Sequence, residues 1–196
     1  MAVLLGITFI LLVTIERALS TFGSKRQYEF RTKKPYLTAI PILSYITICA
    51  SVSIEYFIQG MEGFLSSATS VFGLLLLVTG VLLRRKSIGQ FEGNWNIHID
   101  AEPVKALVRT GPYRWIRHPY YLSVMLELFG FSLALNTYTV LPLILIVQGP
   151  LLMVRIVYEE RDLLKKFSLG YLLYCYKTGA LMPKMKLLPS REERYA

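Results

Sequence analysis

Only two cysteines and two histidines occur in the 196 residues. Cys49 falls in an apolar stretch and Cys175 in a polar tail, so neither a disulfide framework nor a metal site is expected. No internal repeat, low-complexity linker or glycine-rich dinucleotide loop is present. The first charges, Glu16 and Arg17, come after the N-terminal apolar run, so that run lacks the basic leader of a cleaved signal peptide. The absence of an inverted repeat, with few apolar runs, argues against a carrier. Lys and Arg are also missing from two connections, residues 59–67 and 136–138.

What is plentiful is apolar surface, at 54% of residues, which is too much for an ordinary soluble domain. A membrane span needs about 20 mostly apolar residues. Residues 37–58, 68–83, 122–135 with their flanks, and 139–158 qualify, and residues 1–15 make a fifth. Lys and Arg gather between Arg17 and Lys34, between Arg84 and Arg117, and in the tail from Arg161 to Arg194, with Arg155 alone outside these clusters. That alternation is the positive-inside pattern. It predicts an all-α integral membrane protein of about five transmembrane helices, with the N-terminus outside and the C-terminus cytoplasmic. Topology and anionic headgroups account for the basic excess, so membrane lipids are expected partners and nucleic acid is not.

The chain reads as a single membrane domain. Three N-terminal spans occupy residues 1–83, a cytoplasmic loop 84–118, a helical hairpin 119–160 and a cytoplasmic tail 161–196. Pro41 is expected to kink the second span. Gly73 and Gly80 leave room for close helix contact. The loop is long enough to suggest function, and its middle, residues 91–99, suits a strand or an interfacial segment. A tight turn at Asn136-Thr137 makes the last two spans an antiparallel hairpin. The tail places Leu163, Leu164, Phe167, Tyr171 and Tyr174 at helical spacing, so an amphipathic helix is expected along the cytoplasmic face, ended by Pro183 and Pro189.

The run from Gly111 to Tyr121 sets a His, two Arg and three Tyr against the hairpin. At about 1.5 Å per residue, positions near 118 and near 155–160 lie at the same depth, roughly 27 Å from the turn. His118, Tyr121, Arg155 and Glu159 are therefore expected to meet. Each residue alone also has a plainer reading. Pro119 suits a first helical position after a polar cap. Arg155 and Glu159, four apart, suit a structural pair. Glu160 and Arg161 suit solvated or local contacts, while the tail tyrosines, Trp95 and Trp115 suit interfacial packing. Glu127 lies mid-span, where a carboxylate faces the bundle interior or a cavity. It either hydrogen-bonds in its protonated form or lines an acceptor tunnel.

With Arg117-His118-Pro119-Tyr120-Tyr121 followed by Arg155-x-x-x-Glu159-Glu160, the chain resembles the isoprenylcysteine carboxyl methyltransferase and phospholipid methyltransferase superfamily. Leu107-Val108 with Gly111 and Tyr113, the step Gly93-Asn94-Trp95, and Phe167, Tyr171, Tyr174, Thr178-Gly179 and Pro183 extend the likeness over about residues 84–185. The resemblance implies an S-adenosylmethionine site, with S-adenosylhomocysteine as product. Lys105, Ala106, Leu107, Val108, Tyr113, His118, Pro119, Tyr120, Tyr121 and Glu159 would form it. Arg155 would be catalytic and face the acceptor; Glu127 is an acceptor-contact candidate from its mid-span position alone. His98 stands where some relatives have a polar amide. Ser123, Ser168 and Ala180 replace residues frequent in relatives, and by the same resemblance the last two would lie near the acceptor's entry.

Methyl transfer from a sulfonium mainly requires alignment and exclusion of water. A carboxylate acceptor needs no base but does need a cation to orient it, a task suited to Arg. The preferred reading is a membrane methyltransferase whose lipophilic or lipidated acceptor enters from the bilayer. A prenylated cysteine carboxylate, a headgroup amine and a polyketide or quinone hydroxyl are all compatible, and the absence of an obvious base favours the carboxylate. Two other readings stay open: an NADPH-dependent sterol or steroid-type reductase, and a non-enzymatic membrane scaffold.

Overall fold

The computed structural model of the chain describes residues 2–22, 34–61, 64, 67–91 and 106–184. Five helices carry the fold: α1 (Ala2–Phe22), α2 (Tyr36–Ile58), α3 (Ala68–Gly89), α4 (Pro119–Ala134) and α5 (Leu141–Lys177). A single 3-10 turn, Gly111–Arg114, precedes α4. The described residues contain no strand, only an isolated parallel bridge between Ile116 and Gly179. Lys105, His98 and the Gly93-Asn94-Trp95 step lie outside the described residues, as does Pro189.

Among the described residues three helices, α2, α3 and α5, are long and apolar enough to cross a membrane. Their outward faces carry Leu43, Phe57, Leu75 and Ile146, all exposed, as lipid-facing surfaces must be. Their inward faces meet around Val52, Leu128, Leu135 and Ile144. α4 has 16 residues. At 1.5 Å each that is about 24 Å, short of the roughly 30 Å hydrocarbon core.

Two boundaries differ from those predicted. The third span does not end at Leu83 but runs on to Gly89, so Arg84, Arg85 and Lys86 are helical rather than loop residues. Arg84 is fully buried. Its charge is met by carboxylates of α1 and α4, so it has no need to reach water. The tail likewise starts no new helix at Arg161: helix runs on from the fifth span through Phe167, because good helix formers fill the stretch after Tyr158 and no proline interrupts it. α5, 37 residues in all, is two helices joined across a kink. It contains a π-helical segment, Ile144–Gln148, and a break at Ser168, where φ is 44° and ψ −120°. It ends at Lys177, before Pro183. There the chain turns away to pair with the α4 entry: Arg117 N–H donates to Gly179 O (2.8 Å) and His118 N–H to Ala180 O (3.0 Å).

Asn136 closes the turn between α4 and α5 with φ of 56°, a conformation Asn tolerates better than most residues. Its Oδ1 accepts from Ser67 Oγ at 3.0 Å and from Tyr138 Oη at 2.8 Å. Ser67 also caps α3, accepting from Ser70 N–H at 3.1 Å. The hairpin's main backbone contact is nevertheless with a different helix. α4 packs along α3 far more closely than along α5. A Cβ on Gly73 would strike the Ala134 backbone, and one on Gly130 the Leu77 backbone. Small residues thus bring α3 and α4 into direct contact, while α4 and α5 meet through long side chains such as Tyr121, Arg155 and Glu159 and border a cavity.

Candidate active site

The proline that opens α4 fixes the first turn and presents the preceding motif to α5. His118 precedes it in non-helical geometry, and its side chain makes no capping bond. Its imidazole crosses to α5 instead. Nε2 lies 3.1 Å from Glu160 Oε1, and Arg117 Nη2 lies 2.8 Å from the same oxygen. The hydrogen bond from His118, then that from Arg117, holds the Glu160 carboxyl down to about 2; Glu160 stands past the apolar run of α5. A carboxylate only accepts, so His118 Nε2 must carry a proton. Nδ1 is left facing Glu159 Oε2 at 4.0 Å. Glu160 is therefore not a solvated or locally paired residue; it fixes the motif to α5.

In the first turn of α4, Tyr121 occupies the centre. Its hydroxyl donates to Glu159 Oε2 at 2.5 Å and accepts from Arg155 Nε at 2.8 Å. Its ring stacks on His118, with centroids 5.6 Å apart. Arg155 is 5% exposed, and its Nη1 donates to the Leu37 carbonyl of α2 at 3.2 Å. The four residues expected to converge at one depth do so, with Tyr121 joining the arginine to the carboxylate.

Below this junction lies a cavity of about 440 Å³ between α1, α2, α4 and α5. Its walls are mainly apolar, with Val13, Ile42, Val124 and Leu152 prominent. Arg155, Tyr121, Arg17 and Gln148 bring polar atoms to it. Tyr120, grouped by resemblance with the cofactor residues, also faces this cavity and lies against the Arg17 guanidinium, 5.8 Å from it. Glu159 is different, with its side chain about a third exposed at 32%. The junction thus has a buried, mainly apolar side at Arg155 and a more exposed side at Glu159.

Glu127 is not a cavity wall. It is 2% exposed and bonded to two arginines, Arg17 Nη1 at 2.8 Å and Arg84 Nε at 2.8 Å. Arg84 continues to Glu16, which also meets the exposed Arg85 at 3.1 Å. An intramembrane carboxylate requires partners, but its position alone does not name helices α1 and α3 as their source. Gly80 makes the approach possible: a Cβ there would lie 2.8 Å from Glu127 Cγ.

The tail packs on the segment that leads into α4. Tyr174 Oη donates to the Tyr113 carbonyl at 2.6 Å, and Arg109 Nη2 donates to Gly170 O at 2.8 Å. Tyr171 and Tyr174 are buried rather than interfacial; Trp115 is exposed, 61%. Burial first, and the nearby Glu159 charge second, push the Tyr113 hydroxyl above its ordinary range. Ala106 is exposed, and Leu107 and Val108 are half-buried in the segment that leads to the 3-10 turn. A partly open carboxylate beside the His118 and Tyr121 rings fits a cationic group such as a sulfonium.

Comparison with known proteins falls on this same region. Residues 73–165 match the isoprenylcysteine carboxyl methyltransferase family. The chain is 32% identical over 117 residues to the protein-S-isoprenylcysteine O-methyltransferase of Saccharomyces cerevisiae, covering 58% of this chain and 48% of the yeast protein. It is 28% identical over 165 residues to the uncharacterized protein YpbQ of Bacillus subtilis, covering 79% of this chain and 94% of the relative. The family match includes most of α3, all of α4, the His118–Tyr121 run, Arg155, Glu159 and Glu160.

Proposed function

We propose that the chain belongs to the isoprenylcysteine carboxyl methyltransferase superfamily and is a membrane methyltransferase that uses S-adenosylmethionine to methylate a lipophilic carboxylate. A prenylated cysteine C-terminus or a chemical analogue is the acceptor class. One observation carries this reading: the Tyr121 hydroxyl joins Arg155, on the apolar cavity, to Glu159, on the open side. Five spans, with α1 and α4 completing the set, and a cytoplasmic site and C-terminus belong to the same proposal. The clustering of Lys and Arg supports them.

Bound S-adenosylmethionine supplies an electrophilic methyl group on a cationic sulfur. Lys105, Ala106, Leu107, Val108, Tyr113, His118, Pro119, Tyr121 and Glu159 would hold it. Glu159 balances positive charge, and Tyr121 orients Glu159. The cavity takes the acceptor's apolar portion; its volume lies within the range of small-molecule sites. Arg155 orients the acceptor carboxylate through charge-assisted hydrogen bonds. That carboxylate is already ionised, so no residue must remove a proton. The apolar walls exclude water, which would otherwise compete and screen Arg155.

Calorimetric titration of the purified protein in detergent tests the reading. S-Adenosylhomocysteine should bind saturably, with weaker binding in Glu159→Ala and His118→Ala. Arg155→Ala should cost turnover more than cofactor affinity. Binding of NADPH in place of S-adenosylhomocysteine would overturn the proposal, and equal loss of both quantities would remove Arg155 from the acceptor site.

A further inference from the structure

Pro41 lies inside α2 without ending it. Any other residue at that position would donate its N–H to the carbonyl four residues back, Leu37. Proline has no N–H to give. Leu37 is buried, 7% exposed, so its carbonyl needs a partner within the protein. Arg155 Nη1 supplies it at 3.2 Å. The same guanidinium uses Nε for Tyr121 at 2.8 Å. Two anchors on one planar group fix both its position and its rotation.

The Pro41 carbonyl is engaged from α5 as well. Gln148 Nε2 donates to it at 3.4 Å, and Ser44 Oγ donates to Gln148 Oε1. Gln148 ends the π-helical segment of α5, a feature frequent at functional sites. Pro41, Gln148 and Arg155 all line the cavity. A proline therefore stands where α2 and α5 meet, and the peptide hydrogen bond it deletes is the one whose acceptor Arg155 occupies.

We propose that Pro41 is a positioning residue for Arg155: by lacking an N–H it reserves the Leu37 carbonyl for the guanidinium and sets the orientation in which Arg155 meets the acceptor. This rests on the reading of Arg155 as the acceptor anchor. The sequence supports only a kink at Pro41. The kink's consequence depends on a residue more than a hundred positions away.

The test uses the full-length protein in detergent with a farnesylated cysteine carboxylate as acceptor. Pro41→Ala restores the N–H and its competition for the Leu37 carbonyl. It should lower kcat about tenfold, the order expected for a lost charge-assisted hydrogen bond, and leave S-adenosylhomocysteine affinity unchanged. Lactic acid incorporated at position 41 forms an ester, with neither N–H nor ring, and should recover most of that loss. An unchanged kcat in Pro41→Ala, or equal losses in both replacements, would overturn the proposal. Thermal unfolding supplies a readout independent of turnover. The penalty of Arg155→Ala should shrink in the Pro41→Ala background; strictly additive penalties would overturn the proposal. A wild-type protein inactive on carboxylates would defeat the proposed function alone, and the stability cycle would still decide the role of Pro41.

Discussion

Glu127→Gln separates a structural carboxylate from a substrate contact. Glu16, Arg17, Arg84 and Glu127 sum to zero charge, and Arg84 and Glu127 are almost wholly buried. The amide keeps the shape of Glu127 but removes the charge that Arg17 and Arg84 share, leaving the cluster one positive charge in excess. Breaking a buried pair from one side costs about 3–5 kcal/mol, because the remaining charge stays desolvated. For a chain of this size each kcal/mol corresponds to about 2–4 °C in Tm. The expected fall is therefore roughly 6–20 °C. It is measured by intrinsic fluorescence during heating in detergent, with the acceptor KM taken below the transition. KM should stay at its wild-type value, because Glu127 lies behind the cavity wall. A Tm shift under about 2 °C, or a raised KM with unchanged Tm, would refute the reasoning. Arg17→Met combined with Glu127→Gln restores neutrality and should recover part of the loss, a second check on the charge argument.

Tyr121→Phe keeps the ring stacked on His118 but deletes the hydroxyl between Arg155 and Glu159; turnover should fall about 10–100-fold, as for loss of hydrogen bonds to charged groups, and near-wild-type turnover would show the bridge to be incidental. Ser168→Gly should raise Tm by about 2–4 °C, because φ of 44° with ψ of −120° suits glycine; a lower Tm would mean that the hydroxyl matters more than the strain. Glu160 has its carboxyl held near 2, against an ordinary 4.5. Its contribution is complete above the ordinary value and is lost as pH falls through about 2. Stability curves of wild type and Glu160→Gln should therefore converge on acidification below pH 4.5 and run parallel above it. Divergence on acidification would contradict the pairing with His118 and Arg117.

The all-helical class, the hairpin turn at Asn136 and the meeting of His118, Tyr121, Arg155 and Glu159 were legible in the chain. Helical rise and hydrophobic run length are local quantities, and depth along two antiparallel helices follows from counting outward from one turn. Glu127 was legible as a residue needing a partner, because the cost of an intramembrane charge depends only on where it sits.

The partners were decided by packing. Arg84 reads as a loop residue because a charge after an apolar run resembles a boundary. It is buried because the α3–α4 contact brings Glu127 to it. Glu160 reads as solvated until the chain after Thr178 folds back to pair with Arg117 and His118. Tyr120 and Tyr121 are neighbours in one motif, yet one touches Arg17 and the other Arg155, since successive side chains on a helix point about 100° apart. The apolar cavity belongs to no single segment. Sequence determines which residues favour a helix and which charges are costly within it; only the tertiary arrangement determines which helices approach, and therefore which carboxylate, carbonyl or hydroxyl each arginine meets.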